Sequence, residues 1–493
     1  MNCRRSADAR ITPARCIPFC DIDKGDETMN DDAPAGERIR RLYIGDNAPI
    51  LRCMESESAD LIYLDPPFNS KKQWSAPIGS AAEGAEFKDT WTRTDIKDDE
   101  LRVLKNRDEI REAGGLTRLT DLIKIGGAIN GESWEAYLTF MAVRLSEMHR
   151  ILKPTGSLYF HCDPTMSHGV KLLLDAIFGG ENFISEIIWN YGTPSGGRVA
   201  GKKPVKSHEN LLAYARCFGR HTYHPQFLPY NEKYVRDWFR HTDEDGRKYR
   251  TRTRKGEIVR QYLDESKGVP LSNVWTDIMQ LYGSAGWFPR KNDERTGYPT
   301  QKPVALLERI IKASSNPGDV VLDPFCGCAT TCVAAAEQGR SFIGIDVSQT
   351  AAGIMGKRMT GQQHLIADWQ KCEVMHVVNA SRVFPKRADV KREERAVKGE
   401  QHRKMLYEKQ HGRCAGCRED EKLKNLENDR IVAGAMGGHY TRDNVQLLCG
   451  RCNGKKRDRT MNELRAALKE EYVREKTREA RAEFERLHLD DGD

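Results

Sequence analysis

Short apolar runs, each stopped by turn chemistry, mark where ordered structure begins in this chain. Leu42-Tyr43-Ile44 stops at Gly45-Asp46, and Ala59-Asp60-Leu61-Ile62-Tyr63-Leu64 stops at Asp65-Pro66-Pro67-Phe68. Both runs predict buried strands. Residues 137–152 carry apolar side chains at helical spacing, Pro154-Thr155-Gly156 breaks the run, and Ser157-Leu158-Tyr159-Phe160-His161-Cys162 predicts a further strand. A helix is expected over 171–178 and a strand over 210–214. Farther on, the strand Val320-Val321-Leu322-Asp323, a helix over 331–338 and the strand Ser341-Phe342-Ile343-Gly344-Ile345-Asp346 form one βαβ unit. Near-continuous apolar strands alternating with helices predict an α/β fold, a Rossmann-like parallel sheet covered by helices on both faces.

Between these elements the pattern lapses. Residues 1–38 are polar and patternless and predict a disordered leader, with Met29 an alternative start. Residues 70–130 are polar and read as a long insertion, and 216–299 are basic with Tyr, Trp and Arg interleaved. The sheet is therefore expected in two halves, 39–215 and 300–377, around a substrate-facing region at 216–299. A charged linker at 378–410, a Cys-rich module at 411–460 and a charged helical tail at 461–493 follow. The length of 493 residues suits about three folded units. With 39% hydrophobic and 31% charged residues, collagen-like, fully disordered and membrane classes are excluded. No segment has the length and apolarity of a membrane span and no secretory signal is visible, so a cytoplasmic protein with no membrane partner is expected.

The formal charge of +7 is unevenly spread. Residues 386–460 hold 20 Lys/Arg against 12 Asp/Glu, and residues 220–260 hold 11 against 6. Two basic patches on a balanced chain point to phosphate contacts at two places, or to two solvated faces. Of fourteen cysteines, only Cys414, Cys417, Cys449 and Cys452 have ligand spacing. Two CxxC pairs suit a closed, tetrahedral, structural Zn2+ site.

Asp323-Pro324-Phe325-Cys326-Gly327-Cys328-Ala329-Thr330 follows a strand and opens a helix. Such a turn lets a ligand approach backbone amides, and Asp346 at the next strand end is placed to accept from ribose hydroxyls, which implies a nucleoside-bearing cofactor. Asp65-Pro66-Pro67-Phe68 supplies a different chemistry. A nucleobase amine is a poor nucleophile because its lone pair is delocalised, and hydrogen bonds to a carboxylate and a carbonyl favour the geometry that attacks a methyl group. Asp65 and the Pro66 carbonyl offer those acceptors, the prolines fix the direction of the carbonyl, and Phe68 can stack on an extruded base.

In these motifs, and in Leu152-Lys153-Pro154-Thr155-Gly156-Ser157-Leu158-Tyr159 and Thr300-Gln301-Lys302-Pro303, the chain resembles the S-adenosylmethionine-dependent DNA amino-methyltransferases of the circularly permuted beta arrangement. The resemblance covers residues 41–359. It implies site-specific methylation of double-stranded DNA, with Asp65, Pro66, Pro67 and Phe68 catalytic. It also implies S-adenosyl-L-methionine held by Asp46 near the adenine ring, Lys302 near the methionine carboxylate, Asp323, Pro324, Phe325 and Gly327 at the methionine end, and Asp346 at the ribose. The acidic start of the catalytic motif points to adenine N6 over cytosine N4. Ala329 stands where the family usually has Gly, and weakened or slightly shifted cofactor binding is expected from it.

The Cys-rich module, with Leu426 to Val432, Gly437-Gly438, Asn444 to Leu448 and Asn453, resembles a ββα HNH endonuclease domain. Asp429, His439, Asn444 and Asn453 are the candidates for a second metal or nuclease site, taking a divalent cation such as Mg2+ if that site is active. Arg430 occupies the usual position of the water-activating histidine, and an arginine cannot act as a base at neutral pH. A module that binds DNA through its basic surface and one that cleaves it both stay open at this stage. So do a bifunctional restriction-modification or mobile-element enzyme, a non-catalytic DNA-binding protein and an RNA methyltransferase, and, as partners, a second copy of the chain and a cognate restriction enzyme.

Overall fold

The structure is a computed structural model that describes residues 38–76, 82–83, 86–113, 118–192, 204–281, 294–359 and 372–489. Residues 1–37 of the expected leader, with Cys3, Cys16 and Cys20, lie outside the described residues. So does the stretch 282–293 of the basic region.

Nine strands form the main sheet: β1 (Arg40–Ile44), β2 (Ala59–Leu64), β3 (Leu152–Cys162), β4 (Phe183–Asn190), β5 (His208–Ala215), β6 (Val274–Trp275), β7 (Val320–Asp323), β8 (Ser341–Asp346) and β9 (Glu373–His376). Their order is β6-β4-β5-β3-β2-β7-β8-β1-β9. Every neighbouring pair is parallel except those made by β5, which runs antiparallel to β3 and β4. The sheet is thus mostly parallel, with a single reversed strand where the sequence pattern suggested none, because apolar content reports burial on both faces but not strand direction.

Successive side chains along a strand face opposite sides, and the core divides accordingly. Ile62 and Leu64 of β2 pack with Leu158, Phe160 and the helix Glu132–Ile151 on one face. Leu61 and Tyr63 pack with Tyr159, Leu211 and the helices Val304–Ser314 and Thr330–Glu337 on the other. The helix expected over 137–152 begins earlier, at Glu132, and the one over 171–178 begins at Pro164, where Asp163 caps it by accepting from Thr165 N and Met166 N.

The described residues of the stretch read as an insertion form regular elements. They hold the hairpin Lys72–Ser75 with Glu86–Asp89 and the helices Asp98–Ala113 and Leu119–Asn130. Leu104, Leu119 and Ile123 enter the main core. Beyond the sheet, the charged linker contains the helices Ala388–Lys398 and Glu400–Lys409. The C-terminal module is an antiparallel pair, β10 (Leu426–Arg430) and β11 (Val445–Cys449), followed by the helix Gly450–Lys456. Its small core takes in Leu426, Leu447, Leu448, Met461 and Leu464, the last two from the start of the long tail helix Met461–Leu489. Among the described residues no helix is long and apolar enough to cross a membrane.

Candidate active site

Four adjacent parallel strands, β2, β7, β8 and β1, deliver acidic residues to the same edge of the sheet. Asp65 follows β2, Asp323 ends β7, Asp346 ends β8 and Asp46 follows β1. The chain leaves β2 toward β3 on one side and β7 toward β8 on the other, so this edge is the topological switch point at which α/β sheets bind ligands. A cavity of about 1140 Å³ opens there, lined by all four aspartates, Pro66, Pro67, Phe68, Lys302 and the turn Pro324 to Cys328.

On the β1 side of the cavity, Asp46 caps the helix Asn47–Cys53 by accepting from Ala48 N (3.0 Å), and it also accepts from Lys97 Nζ (2.7 Å) and Arg144 (3.0 Å). Burial opposes its charge, but Arg144 and Lys97 outweigh that and hold the carboxyl well below the usual range. Asn47 donates to the Pro324 carbonyl (2.7 Å) and accepts from Arg144 (2.7 Å), which ties β1 to the Gly turn. Asp346 accepts from Gly327 N (2.9 Å) and Ser348 N (2.8 Å), and burial raises its pKa against those bonds. Asp323 accepts from Thr331 Oγ1 (2.5 Å) and Phe325 N (3.0 Å). Burial pushes its pKa up to about 7, the two hydrogen bonds pull the other way, and the carboxylates of Asp65 and Asp346 add to the rise.

The turn itself explains the Gly preference at position 329. Gly327 has φ +51° and Ala329 has φ +62° and ψ +31°, both left-handed. The unusual feature of Ala329 is therefore backbone strain as well as an added methyl group, and a non-glycine residue there costs about 1–2 kcal/mol. Beside this turn, Tyr298 is so close that a Cβ on Gly327 would meet its ring at 3.0 Å.

The motif Asp65 to Phe68 is backed by a buried chain of polar groups. Tyr63 OH and His161 Nδ1 are 2.8 Å apart, and His161 Nε2 lies 2.9 Å from Glu209 Oε2. Lys302 Nζ stands 3.7 Å from Glu209 and donates to Asp65 Oδ2 at 2.7 Å. Burial works against the Lys302 charge, but Asp65 and Glu209 more than compensate and raise its pKa. Burial likewise opposes the Glu209 charge, and Lys302 and His161 hold its pKa well below the usual value. Lys302 thus binds one carboxylate oxygen of Asp65, and both residues line the cavity. It also lies 5.3 Å from the centre of the Phe68 ring. Tyr63, His161 and Glu209 went unnoticed in the sequence, although a His and a Glu inside apolar strand runs are a visible signal. Lys97 and Arg144 gave none, since one lies in the polar insertion and the other in an ordinary amphipathic helix.

In the C-terminal module, the Sγ atoms of Cys414, Cys417, Cys449 and Cys452 all lie within 4.8 Å of one another. Cys449 N and Gly416 N both point at Cys414 Sγ, at 3.2 and 3.4 Å. Four thiolates at that separation fit one tetrahedral Zn2+, and they are the single such cluster among the described residues. Of the candidate nuclease residues, Asn444 donates to the His439 carbonyl (2.9 Å), while Asp429 and Asn453 have other partners. Asp429 accepts from Gln446 (2.8 Å) and lies 3.3 Å from Lys456 Nζ. Asn453 binds Glu427 (2.5 Å). Asn444 clasps Val432 on both its N–H (2.8 Å) and its carbonyl (3.2 Å). His439 lies against the Arg52 backbone, and burial, then Arg387 and Arg150, push its pKa down to about 4.

Residues 59–356, more than half of the chain, match the DNA methylase family, and residues 414–469 match the HNH endonuclease family. The DNA adenine methyltransferase YhdJ of Escherichia coli K12 is 26% identical over 338 residues, 68% of this chain and 87% of that protein. The type II methyltransferase M.EcaI of Enterobacter cloacae is 30% identical over 266 residues, 45% of this chain and 57% of that one. Among solved structures, the cytosine-N4-specific PvuII DNA methyltransferase aligns over 70% of this chain and 99% of its own, at 15% identity and a TM-score of 0.36.

Proposed function

This chain belongs to the DNA methylase family, and on that footing we propose that it transfers a methyl group from S-adenosylmethionine to adenine N6 in double-stranded DNA. The observation that carries the reading is the meeting of Asp65 and Pro66 with Asp323 and Asp346 in one cavity. Its dimensions and its donor set fit the cofactor. Asp323, a buried carboxyl with no cation among its partners, suits an amine. Asp346 suits ribose hydroxyls, and Asp46 borders the adenine side. Bound there, S-adenosylmethionine supplies a methyl group activated by its sulfonium.

The remaining steps belong to the protein. Lys302 fixes one oxygen of Asp65, so the other oxygen and the Pro66 carbonyl accept from the base amine and turn its lone pair toward the methyl group. Phe68 packs against the extruded base. After transfer, the excess proton leaves the amine for Asp65 or water. The acidic start of the motif and the adenine-specific name of the Escherichia coli relative favour N6. We infer a restriction-modification setting, which the name of a relative, the type III restriction-modification enzyme StyLTI Mod subunit of Salmonella typhimurium, favours.

We assign DNA reading to the ribbon Lys248–Arg254 and Glu257–Tyr262. Its turn, Lys255-Gly256, has φ +52° and +87°, the signature of a tight I′ hairpin. Arg252, Arg254, Lys255 and Arg260 are exposed, and Ile258 is 76% exposed. A two-stranded ribbon of this kind fits the major groove.

Mass spectrometry of nucleosides from duplex DNA incubated with protein and cofactor tests the reading. N6-methyladenine is expected. N4-methylcytosine would overturn the base assignment, and an RNA acceptor preferred over DNA would overturn the substrate.

A further inference from the structure

The face of the zinc module on which an HNH domain would hold its cation is closed by the methyltransferase core. Lys456 is fully buried, 3.3 Å from Asp429 Oδ2, and donates to the Arg430 carbonyl at 2.7 Å. A lysine ammonium therefore stands beside Asp429, the one carboxylate among the candidate nuclease residues. Gln446 binds Asp429 through its amide nitrogen, and its oxygen accepts from Arg102 at 2.9 Å. Arg102 belongs to the core helix Asp98–Ala113. At the start of that helix Asp99 accepts from Met461 N at 3.0 Å. Val103 packs on Ile431 and Val432. Nothing in this arrangement leaves a scissile phosphate access to Asp429.

The same helix leads to the cofactor pocket. Arg107 bridges Asp443 of the zinc module and Glu147 of the core, at 2.5 Å to each, and Asn106 donates to the Asp443 carbonyl at 2.9 Å. Arg52 donates to the Met436 carbonyl (3.2 Å) and to Glu100 (2.8 Å). Gly437, with φ +74°, packs so tightly on the core that a Cβ there would lie 2.4 Å from the Pro49 carbonyl. Just before the helix, Lys97 holds Asp46 at 2.7 Å. An unbroken set of contacts thus runs from the zinc-module loop around Met436 to Asp443, through the helix, to the pocket wall.

We propose that the zinc module is a non-cleaving clamp that holds the helix Asp98–Ala113 in place and thereby sets the affinity of the pocket for S-adenosylmethionine. The clamp rests on the cofactor reading of that pocket. Asp443 is the positioning residue through which it is tested, because it lies on the zinc module and outside the cavity.

The experiment compares the full-length protein with Asp443→Ala and Asp443→Asn, each checked for bound zinc. Calorimetry gives the S-adenosylmethionine Kd, steady-state kinetics split KM from kcat, hydrogen exchange follows residues 98–113, and a supercoiled plasmid with Mg2+ or Mn2+ reports nicking. In Asp443→Ala the cofactor Kd and KM rise about five- to tenfold, the range of ordinary coupling between sites. There kcat at saturating cofactor stays within about twofold and exchange in the helix quickens. Asp443→Asn, which keeps an acceptor for Arg107, falls between, and no form nicks the plasmid. Should Asp443→Ala fail to fold, Asn106→Ala carries the same expectation. Faster helix exchange with an unchanged cofactor Kd overturns the clamp, as does metal-dependent nicking that Asp429→Ala abolishes. A wild-type protein that bound no S-adenosylmethionine would overturn the cofactor reading itself.

Discussion

Asp323 sits at the end of β7 with two hydrogen-bond donors and no cation among its partners, and burial pushes its pKa up to about 7. A cationic amine bound there stabilises the ionised carboxylate, so binding expels a proton from any molecule that carries one. Affinity must then rise with pH up to about 7 and level off above it, because below the pKa each unit of pH costs at most about tenfold. Calorimetry between pH 5.5 and 8 checks this, and Asp323→Asn should bind weakly with a flat profile. The same slope in that variant would remove Asp323 from the cofactor site. At Ala329 the left-handed backbone predicts that Ala329→Gly raises stability by up to about 1 kcal/mol, after allowing for glycine's greater freedom in the unfolded chain. Thermal unfolding measures it. The acidic residues at the strand ends were legible because each ends an apolar run at a turn. Lys302 was legible as a site residue, but its pairing with Asp65 and Glu209 was not, since 237 residues separate it from Asp65.

Among the elements, the strands that build the switch point follow directly from apolar runs and their stops. The helix Asp98–Ala113 did not, because its sequence is mostly charged and its few apolar residues face two different cores, Leu104 the main core and Val103 the zinc module, beside ionic contacts with both. Periodicity sees burial against one core, and an element shared between two cores escapes it. The reversed direction of β5 was hidden for a related reason, since pairing direction leaves no trace in residue type. The basic ribbon was visible only as charge, but its anchor is structural. Arg250 donates to Tyr234 OH at 2.6 Å and lies 4.9 Å from the Phe239 ring. Because Arg252, Arg254 and Lys255 project beyond that anchor, replacing them with Ala should weaken DNA binding and lower its salt dependence by about one unit of log–log slope for every phosphate left unneutralised. Cofactor affinity should stay unchanged. Fluorescence anisotropy across a salt series is the check, and an unaltered slope would exclude the ribbon from the DNA interface.

As a whole molecule, the protein joins a methyltransferase sheet to a zinc module through charged groups that are largely shielded from water. Arg107 pairs with Asp443 across that contact, and Arg52, itself paired with Glu100, donates to the Met436 carbonyl across it; breaking one partner of a buried pair is costly, on the order of 3–5 kcal/mol. The two modules therefore respond together, and residues 378–410, read as a linker, contribute Arg387, which donates to the Arg52 carbonyl at 2.6 Å. Local motifs told the two modules apart but could not reveal their contact. On the proposed reading, the chemistry depends on one carboxylate beside one carbonyl. Long-read sequencing of DNA from cells expressing either the wild-type chain or Asp65→Ala measures that dependence most directly. Wild-type cells should carry N6-methyladenine at one sequence motif and Asp65→Ala cells none, while the purified variant still binds S-adenosylmethionine. Methylation that survived Asp65→Ala at the same motif would contradict the account.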